Sequence, residues 1–278
     1  MGKLYVVGTP IGNLGDFSPR AMETLEKVDF IAAEDTRVTA KLLNRFGIKK
    51  PMVIYQKFNE REQGEVIVSR LAAGESCAIV TDAGMPCISD PGETLVKMCV
   101  AAEIPVEVVP GPSAVVSALA VSGLSVSRFT FEGFLSVKRT SRMEHLGELI
   151  HERRTMVFYE APHKLLNTLK DMYSVFGNRN IVIVKELTKI HECSWRGTLS
   201  EAVEYNTINP PRGEYVLILE GETPSAQTAE EKPTLEQAAH DGKACIKDRQ
   251  TENHEGNDKD LRPGRGSSTS DQRRQYQD

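Results

Sequence analysis

Between Leu4 and Gly123 short apolar runs alternate with amphipathic segments, and this alternation constrains the fold more than any other feature of the chain. LYVVG (Leu4–Gly8), VDFIAAE, MVIY, SCAIVT and VEVV read as strands. Ser18-Pro19 looks like a cap followed by proline at the first helical position, leading through Ala21, Leu25 and Val28. TRVTAKLLNRFG is a helix stopped by Gly47, and Glu62–Ala73 one stopped by Gly74. ETLVKMCVAAE and a small-residue helix opening at PSAVVSALAVSG complete the scheme. Strands that alternate with helices require right-handed crossovers, so the expected core is an α/β domain with a mostly parallel sheet.

After Ser122 the pattern changes. FTFEGF is strand-like, Lys138–Arg153 a charged helix, TMVFYE a strand, and Pro162 opens a helix that reaches Phe176. IVIVKEL and ECSWRG follow as strands with little between them, then a helix from TLSEAVEY and a last strand EYVLILE. Neighbouring strands without a crossover helix predict a mixed sheet. The expected boundaries are therefore an N-terminal α/β domain over 1–121 and a second α/β domain over 122–221. From 222 to 278 the composition turns polar, with Leu235, Ile246 and Leu261 as its large aliphatics, and the segment is expected to be a disordered tail.

A hydrophobic content of 40% over 278 residues supports real cores. No run approaches the roughly 18–20 apolar residues of a membrane span, and the N-terminus enters a strand pattern without a signal-peptide signature. Cys77, Cys87, Cys99, Cys193 and Cys245 are odd in number and never spaced CxxC, which suits reduced thiols in a cytoplasmic protein. No metal-ligand spacing occurs, since His191-Glu192-Cys193 alone makes a poor site and HExxH is absent. The net charge of −5 argues against a protein that coats nucleic acid, though local basic patches can still grip phosphate.

Four polar turns share one address, the C-terminal end of an expected parallel strand: GTPIGNLGD, EDTR, TDAGMP and PGPSA. Ligands bind at that rim of an open α/β sheet, so a small-ligand cleft is expected there. Gly8, Gly12 and Gly15 fit neither GxGxxG nor a Walker loop; they suit a plain loop or close approach to a ligand equally. Asp35 and Arg37 serve either as a helix-entry charge cluster or as contacts to substrate. Ser113 lacks a nucleophile elbow, leaving a ligand contact or a helix cap. In VTDAGMPCISDPG, Asp82 is expected to face a ligand, and Asp90 or the turn itself to cap the next helix.

In the second half, FYEAPHK sets Glu160 and His163 around a helix start, and KELTKIHE gathers Lys185, Glu186, Lys189, His191 and Glu192. Singly these fit a solvated face; beside a cleft, a carboxylate and lysines would suit deprotonating and orienting a hydroxyl. Basic clusters at Lys49-Lys50, Lys138-Arg139-Arg142 and Arg153-Arg154 fit either an exposed helix face or an RNA backbone.

Taken in order, LYVVGTPIGNLGD, AEDTR, VTDAGMPCISDPG, VVPGPSAVVSAL, FEGFL, FYEAPHK, KELTKIHE and RGEYVLILEG closely resemble the ribosomal small-subunit RNA ribose 2′-O-methyltransferase I family, of the tetrapyrrole (corrin/porphyrin) methylase superfamily. The resemblance spans Lys3–Gly221. It implies two α/β domains with S-adenosylmethionine in the cleft between them, and a homodimer. It also implies methyl transfer to the ribose 2′-hydroxyl of a cytidine in the decoding region of small-subunit rRNA, presented free or in the 30S subunit. Carried onto this chain, Pro10, Asp82, Met85, Ser113, Ala114, Tyr159 and Glu214 fall on the cofactor side. Asp35, Arg37, Asn59, Glu60, His163, Glu186 and Lys189 fall on the substrate side, with Glu186 the first choice of base, a neutral His163 the alternative, and Lys189 steering phosphate or ribose oxygens.

Two departures from the family pattern stand out. Tyr55-Gln56-Lys57-Phe58 replaces a histidine-rich segment ahead of Asn59-Glu60, and the usual basic helical module at the C-terminus gives way to the polar tail. The competing readings are a methylase of the same fold acting on a small molecule, and a non-catalytic ribosome-associated module.

Overall fold

The computed structural model describes residues 2–223, which form one compact unit; the expected tail lies, beyond its first two residues, outside the described residues. Five strands, β1 (Leu4–Val7), β2 (Phe30–Ala33), β3 (Met52–Ile54), β4 (Cys77–Val80) and β5 (Val106–Val109), build a first sheet in the order β3-β2-β4-β1-β5. Every pairing in it is parallel. The helices α1 (Pro19–Lys27), α2 (Thr36–Arg45), α3 (Glu60–Ala72), α4 (Glu93–Ala101) and α5 (Ala114–Ser122) follow the five strands in turn. This is the α/β pattern expected from the alternation of apolar and amphipathic segments.

Local chemistry explains the boundaries. Ser18 accepts from the Ala21 amide and Pro19 opens α1, while Gly47 with φ 73° follows the end of α2. α4 is different. Its cap position is Gly92, which has no side chain, and Asp90 makes no capping bond. Glu60, at the start of α3, does that work instead: Oε1 accepts from the Gly92 amide at 3.2 Å and Oε2 from the Thr94 hydroxyl at 2.6 Å. The expectation that Asp90 caps α4 is therefore corrected.

The second sheet contains β6 (Phe129–Phe134), β7 (Thr155–Glu160), β8 (Asn180–Lys185), β9 (Cys193–Thr198) and β10 (Tyr215–Leu219), in the order β6-β7-β10-β8-β9. Only β6 and β7 pair in parallel, so the sheet is mixed as its sequence implied. Its helices are α6 (Arg139–Glu148), α7 (Pro162–Phe176) and α8 (Leu199–Ile208); α6 stops short of the Arg153 expected for it. Thr198 and Glu201 close a reciprocal capping box on α8.

Both faces of each sheet are covered. Phe30, Ile67, Ile79 and Leu95 fill one side of the first sheet; Leu25, Ile31 and Leu43 fill the other. In the second, Phe158, Met156, Leu169 and Leu217 form the larger core. Each such fully buried side chain contributes about 1.5–3 kcal/mol. α5 leaves the first sheet and packs Val115, Ala118 and Leu119 on Val157, Val182 and Val216 of the second. That crossing places the carboxyl rim of the first sheet against the second sheet, and it positions the site.

Candidate active site at the junction of the sheets

Because β1, β2, β4 and β5 run parallel, the four polar turns that follow them emerge on one rim. They are packed together tightly. A Cβ on Gly8 would stand 2.7 Å from Gly111 Cα and 2.6 Å from Met85 Sδ, so the turns after β1 and β5 meet through glycine backbone. Thr9 and Gly84 exchange backbone hydrogen bonds at 2.9 and 3.2 Å, which ties the turn after β4 to the turn after β1. Gly8 is thus required for packing, and it lines neither of the two cavities at this rim.

Two neighbouring cavities open along this rim. The first, of about 270 Å³, is enclosed by Ile11, Glu34, Asp82, Gly84, Met85, Ile88 and Asp90 from the first sheet's turns, by Ser113-Ala114, and by Phe134, Tyr159, Leu187 and Glu214 from the second half. The second, of about 600 Å³, is lined by Pro10, Gly12 and Leu14, by Val38, Thr39, Lys41, Leu42 and Arg45 of α2, by Thr81, and by Lys189. Ile11, Asp82, Ala83 and Glu214 belong to both.

Five carboxyls line the first cavity; Glu160 and Glu214 are paired with Lys164 and Lys189, and Glu34, Asp82 and Asp90 have no ion-pair partner among the described residues. Burial raises the pKa of Glu34 and of Asp82, and lifts Asp90 to about 6 with the charges of Glu34 and Asp82 adding to the effect. The Asp82 amide donates to Glu34 Oε2 at 3.3 Å, and the Asp35 amide donates to Asp82 Oδ1 at 3.2 Å. A cation entering here would relieve the mutual repulsion. On another wall Ser113 holds the cap position of α5 without a capping hydrogen bond, leaving its hydroxyl and the first turn's amides for a ligand. Phe134 and Tyr159, with ring centroids 5.3 Å apart and planes inclined at 59°, make an angled aromatic wall, and burial pushes the Tyr159 phenol up to about 12. Acidic, amide and aromatic surfaces in one cleft fit an amphipathic, partly cationic nucleoside.

Backbone strain borders the cleft. Cys87 and Ser89 in one turn, and Glu186 and Thr188 in another, have φ between 51° and 73°. Left-handed conformations at non-glycine residues cost of order 1–2 kcal/mol each and persist where surrounding structure over-determines them. The second of these turns carries Lys189, whose Nζ donates to Glu186 Oε1 at 3.0 Å and Glu214 Oε2 at 2.6 Å. Burial works against the ammonium, but the two carboxylates outweigh it and hold its pKa above the usual value.

The residues singled out from sequence divide clearly. Asp82, Met85, Ser113, Ala114, Tyr159 and Glu214 all line the first cavity, whereas Pro10 lines the second. Lys189 lines the second cavity as well. Glu186 lies behind Lys189, its carboxyl held below the ordinary range chiefly by the Glu214 amide at 2.8 Å. Asp35 caps α2 and grips Arg37 through two side-chain hydrogen bonds, which together draw its pKa down to about 2; neither residue lines a cavity. Asn59 accepts from the Gln56 amide and Glu60 caps α4, so both are engaged in local structure. His163 is exposed on the first turn of α7, away from both linings.

The expected basic cluster at Lys138-Arg139-Arg142 is partly structural. Arg142 is buried, and Asp171 accepts from it at 2.7 Å and from Arg139 at 3.0 Å. Sequence reasoning passed over Thr39, Lys41 and Arg45. Their signal was the spacing of Val38, Lys41, Leu42 and Arg45, one stripe of α2.

Comparison with known proteins accords with this architecture. Residues 3–203 match the family model for Tetrapyrrole (Corrin/Porphyrin) Methylases. The chain is 51% identical over 225 residues to the ribosomal RNA small subunit methyltransferase I of Synechocystis sp., covering 81% of each. It is 48% identical to the protein of the same name from Thermotoga maritima, covering 80% of this chain and 99% of that one. Among solved structures it resembles uroporphyrin-III C-methyltransferase from Thermus thermophilus, crystallised with S-adenosyl homocysteine, with a TM-score of 0.55 at 18% identity over 79% of this chain and 97% of that chain. A cobalt precorrin-4 methyltransferase aligns with a TM-score of 0.57 at 19% identity, over 78% of this chain and 94% of that one. With most of its length matched to both the family model and these close relatives, the chain belongs to the tetrapyrrole methylases and, within them, to the ribosomal RNA small subunit methyltransferase I family.

Proposed function

We propose that the protein transfers a methyl group from S-adenosylmethionine to the ribose 2′-hydroxyl of a cytidine in the decoding region of small-subunit rRNA, acting as a homodimer on the 30S subunit. The observation that carries this reading is the pair of adjoining cavities, one acidic and aromatic, the other bordered by cations, with Asp82 and Glu214 in both walls. The curated relatives at 48–51% identity are named for rRNA methylation, whereas the small-molecule methylases share only the fold at 18–19% identity.

When bound, S-adenosylmethionine supplies a methyl carbon attached to a positively charged sulfur. The first cavity's residues suit it: Glu34, Asp82 and Asp90 complement positive charge, the start of α5 at Ser113-Ala114 receives a carboxylate, and Phe134 and Tyr159 flank an adenine ring. Fixed walls hold the reacting groups in line, which supplies much of the rate in such a displacement. Lys189, kept protonated by its two carboxylates, orients ribose or phosphate oxygens. Asp82 accepts the hydroxyl proton in this reading, because it lies in both linings and burial raises its pKa toward the working range. Glu186 is less suited, since its carboxylate is stabilised by the Glu214 amide and Lys189. It instead fixes Lys189.

The test is a map of 2′-O-methylation on small-subunit rRNA from cells lacking the gene and from cells in which it is restored. Loss and rescue at one decoding-region cytidine is the expected result; an unaltered map would refute the proposal.

A further inference from the structure

We infer that the second cavity, between α2 and the turn after β1, receives the target nucleotide extruded from its RNA, with α2 gripping the adjoining phosphates; this rests on the methyltransferase reading above. Four observations converge on it. First, the cavity adjoins the first and shares Ile11, Asp82 and Ala83 with it, so an occupant would lie across a common wall from the methyl donor.

Second, its apolar side consists of side chains that a folded protein ordinarily buries. Leu14 and Val38 are 45% and 37% exposed, and they stand with Leu42 at the cavity. A base unstacked from RNA regains contact on such a surface.

Third, the cations are unbalanced. Lys41 and Arg45 are one helical turn apart on the same stripe of α2, and neither has an ion-pair partner among the described residues. Lys189 on the opposite wall is already neutralised by Glu186 and Glu214. Two uncompensated cations beside an apolar slot match the phosphate and base of one nucleotide.

Fourth, Thr39 and Thr81 are 3% and 2% exposed, line the cavity, and their hydroxyls have no hydrogen-bond partner among the described residues. Unpaired buried hydroxyls are costly and uncommon. A base edge or ribose hydroxyl is the kind of partner that would satisfy them.

The full-length protein tests this through Lys41→Ala with Arg45→Ala, and separately Thr39→Val, using small-subunit RNA as methyl acceptor. The double variant is expected to keep its affinity for S-adenosylmethionine, raise KM for RNA at least about tenfold, and flatten the dependence of log KM on log salt by about one to two units as phosphate contacts are lost. Lys41→Arg with Arg45→Lys should restore most of both. Thr39→Val should melt no lower than the parent, having lost an orphan hydroxyl, yet lose severalfold in kcat/KM. Unchanged KM and salt dependence in the double variant, with an active parent, would overturn the cavity assignment alone. A parent that binds S-adenosylmethionine but does not methylate the RNA would overturn the reading on which the assignment rests.

Discussion

Lys189 Nζ lies 2.6 Å from Glu214 Oε2, an ion pair that ties the strained turn after β8 to the residue preceding β10. Glu186 completes the arrangement from behind, accepting from both Lys189 and the Glu214 amide. Glu186→Gln preserves an oxygen for the amide but removes one of the lysine's two countercharges. Turnover should fall less than about tenfold, in contrast to the 10²–10⁴-fold loss expected when a general base is removed. Single-turnover methylation of small-subunit RNA distinguishes the two.

Asp82→Asn is the complementary experiment. The cavity geometry predicts a loss of about 10²–10⁴-fold in kcat, with S-adenosylmethionine affinity weakened less than about tenfold. A pH–rate profile adds a second readout, since the variant should lose the acidic limb of the parent curve. Parental turnover would remove Asp82 from proton transfer.

Asp90 makes the cleft pH-sensitive. Its pKa rises from 3.8 to about 6 on folding, so the folded protein holds the proton more tightly than the unfolded chain. Stability is therefore lost as pH rises from about 4 to about 6, and the penalty is complete above that window. Asp90→Asn should gain about 1 kcal/mol at pH 7.5, after allowance for solvent screening, and nothing at pH 4. Thermal melts at the two pH values measure it. In the parent, S-adenosylmethionine should bind more tightly as pH rises through about 6, because ionised Asp90 complements a cation.

Glu60→Ala should remove the surrogate cap of α4 and lower stability by about 1 kcal/mol. KM for RNA should be unaffected once the assay is run below the melting transition. A raised KM without a stability change would return Glu60 to the substrate side.

Asp171 of α7 anchors Arg142 of α6, and both side chains are 7% exposed. Asp171→Ala leaves a buried guanidinium unpaired and should cost about 3–5 kcal/mol, read from chemical denaturation. Asp171→Asn, which keeps an acceptor oxygen, should recover part of that loss.

Much of the fold was legible because its signals are local. Ser18-Pro19, Gly47 and the alternating apolar runs each act within a few residues, and together they specify a parallel sheet whose polar turns share one rim. The residues that line the first cavity were expected together from that rim and from the family resemblance. Reading single residues in the turns was less successful. Asp90 sits just before a helix, where a cap is the usual role, yet the bond comes from Glu60, thirty-two residues distant in sequence. His163 shares a motif with cleft residues but faces solvent, while Lys164 and Leu165 beside it on α7 turn inward. Arg142 reads as part of a basic surface until Asp171 is found beside it.

The order and type of elements and the family are readable from the chain alone, because periodicity, caps and motif order are written along it. That α5 crosses to the second sheet, that Asp82 and Glu214 line two cavities, and that one stripe of α2 faces the second emerge with folding and not before. Those facts depend on packing between residues far apart in sequence, where burial and paired charge, not local preference, set which side chain is free to meet a ligand.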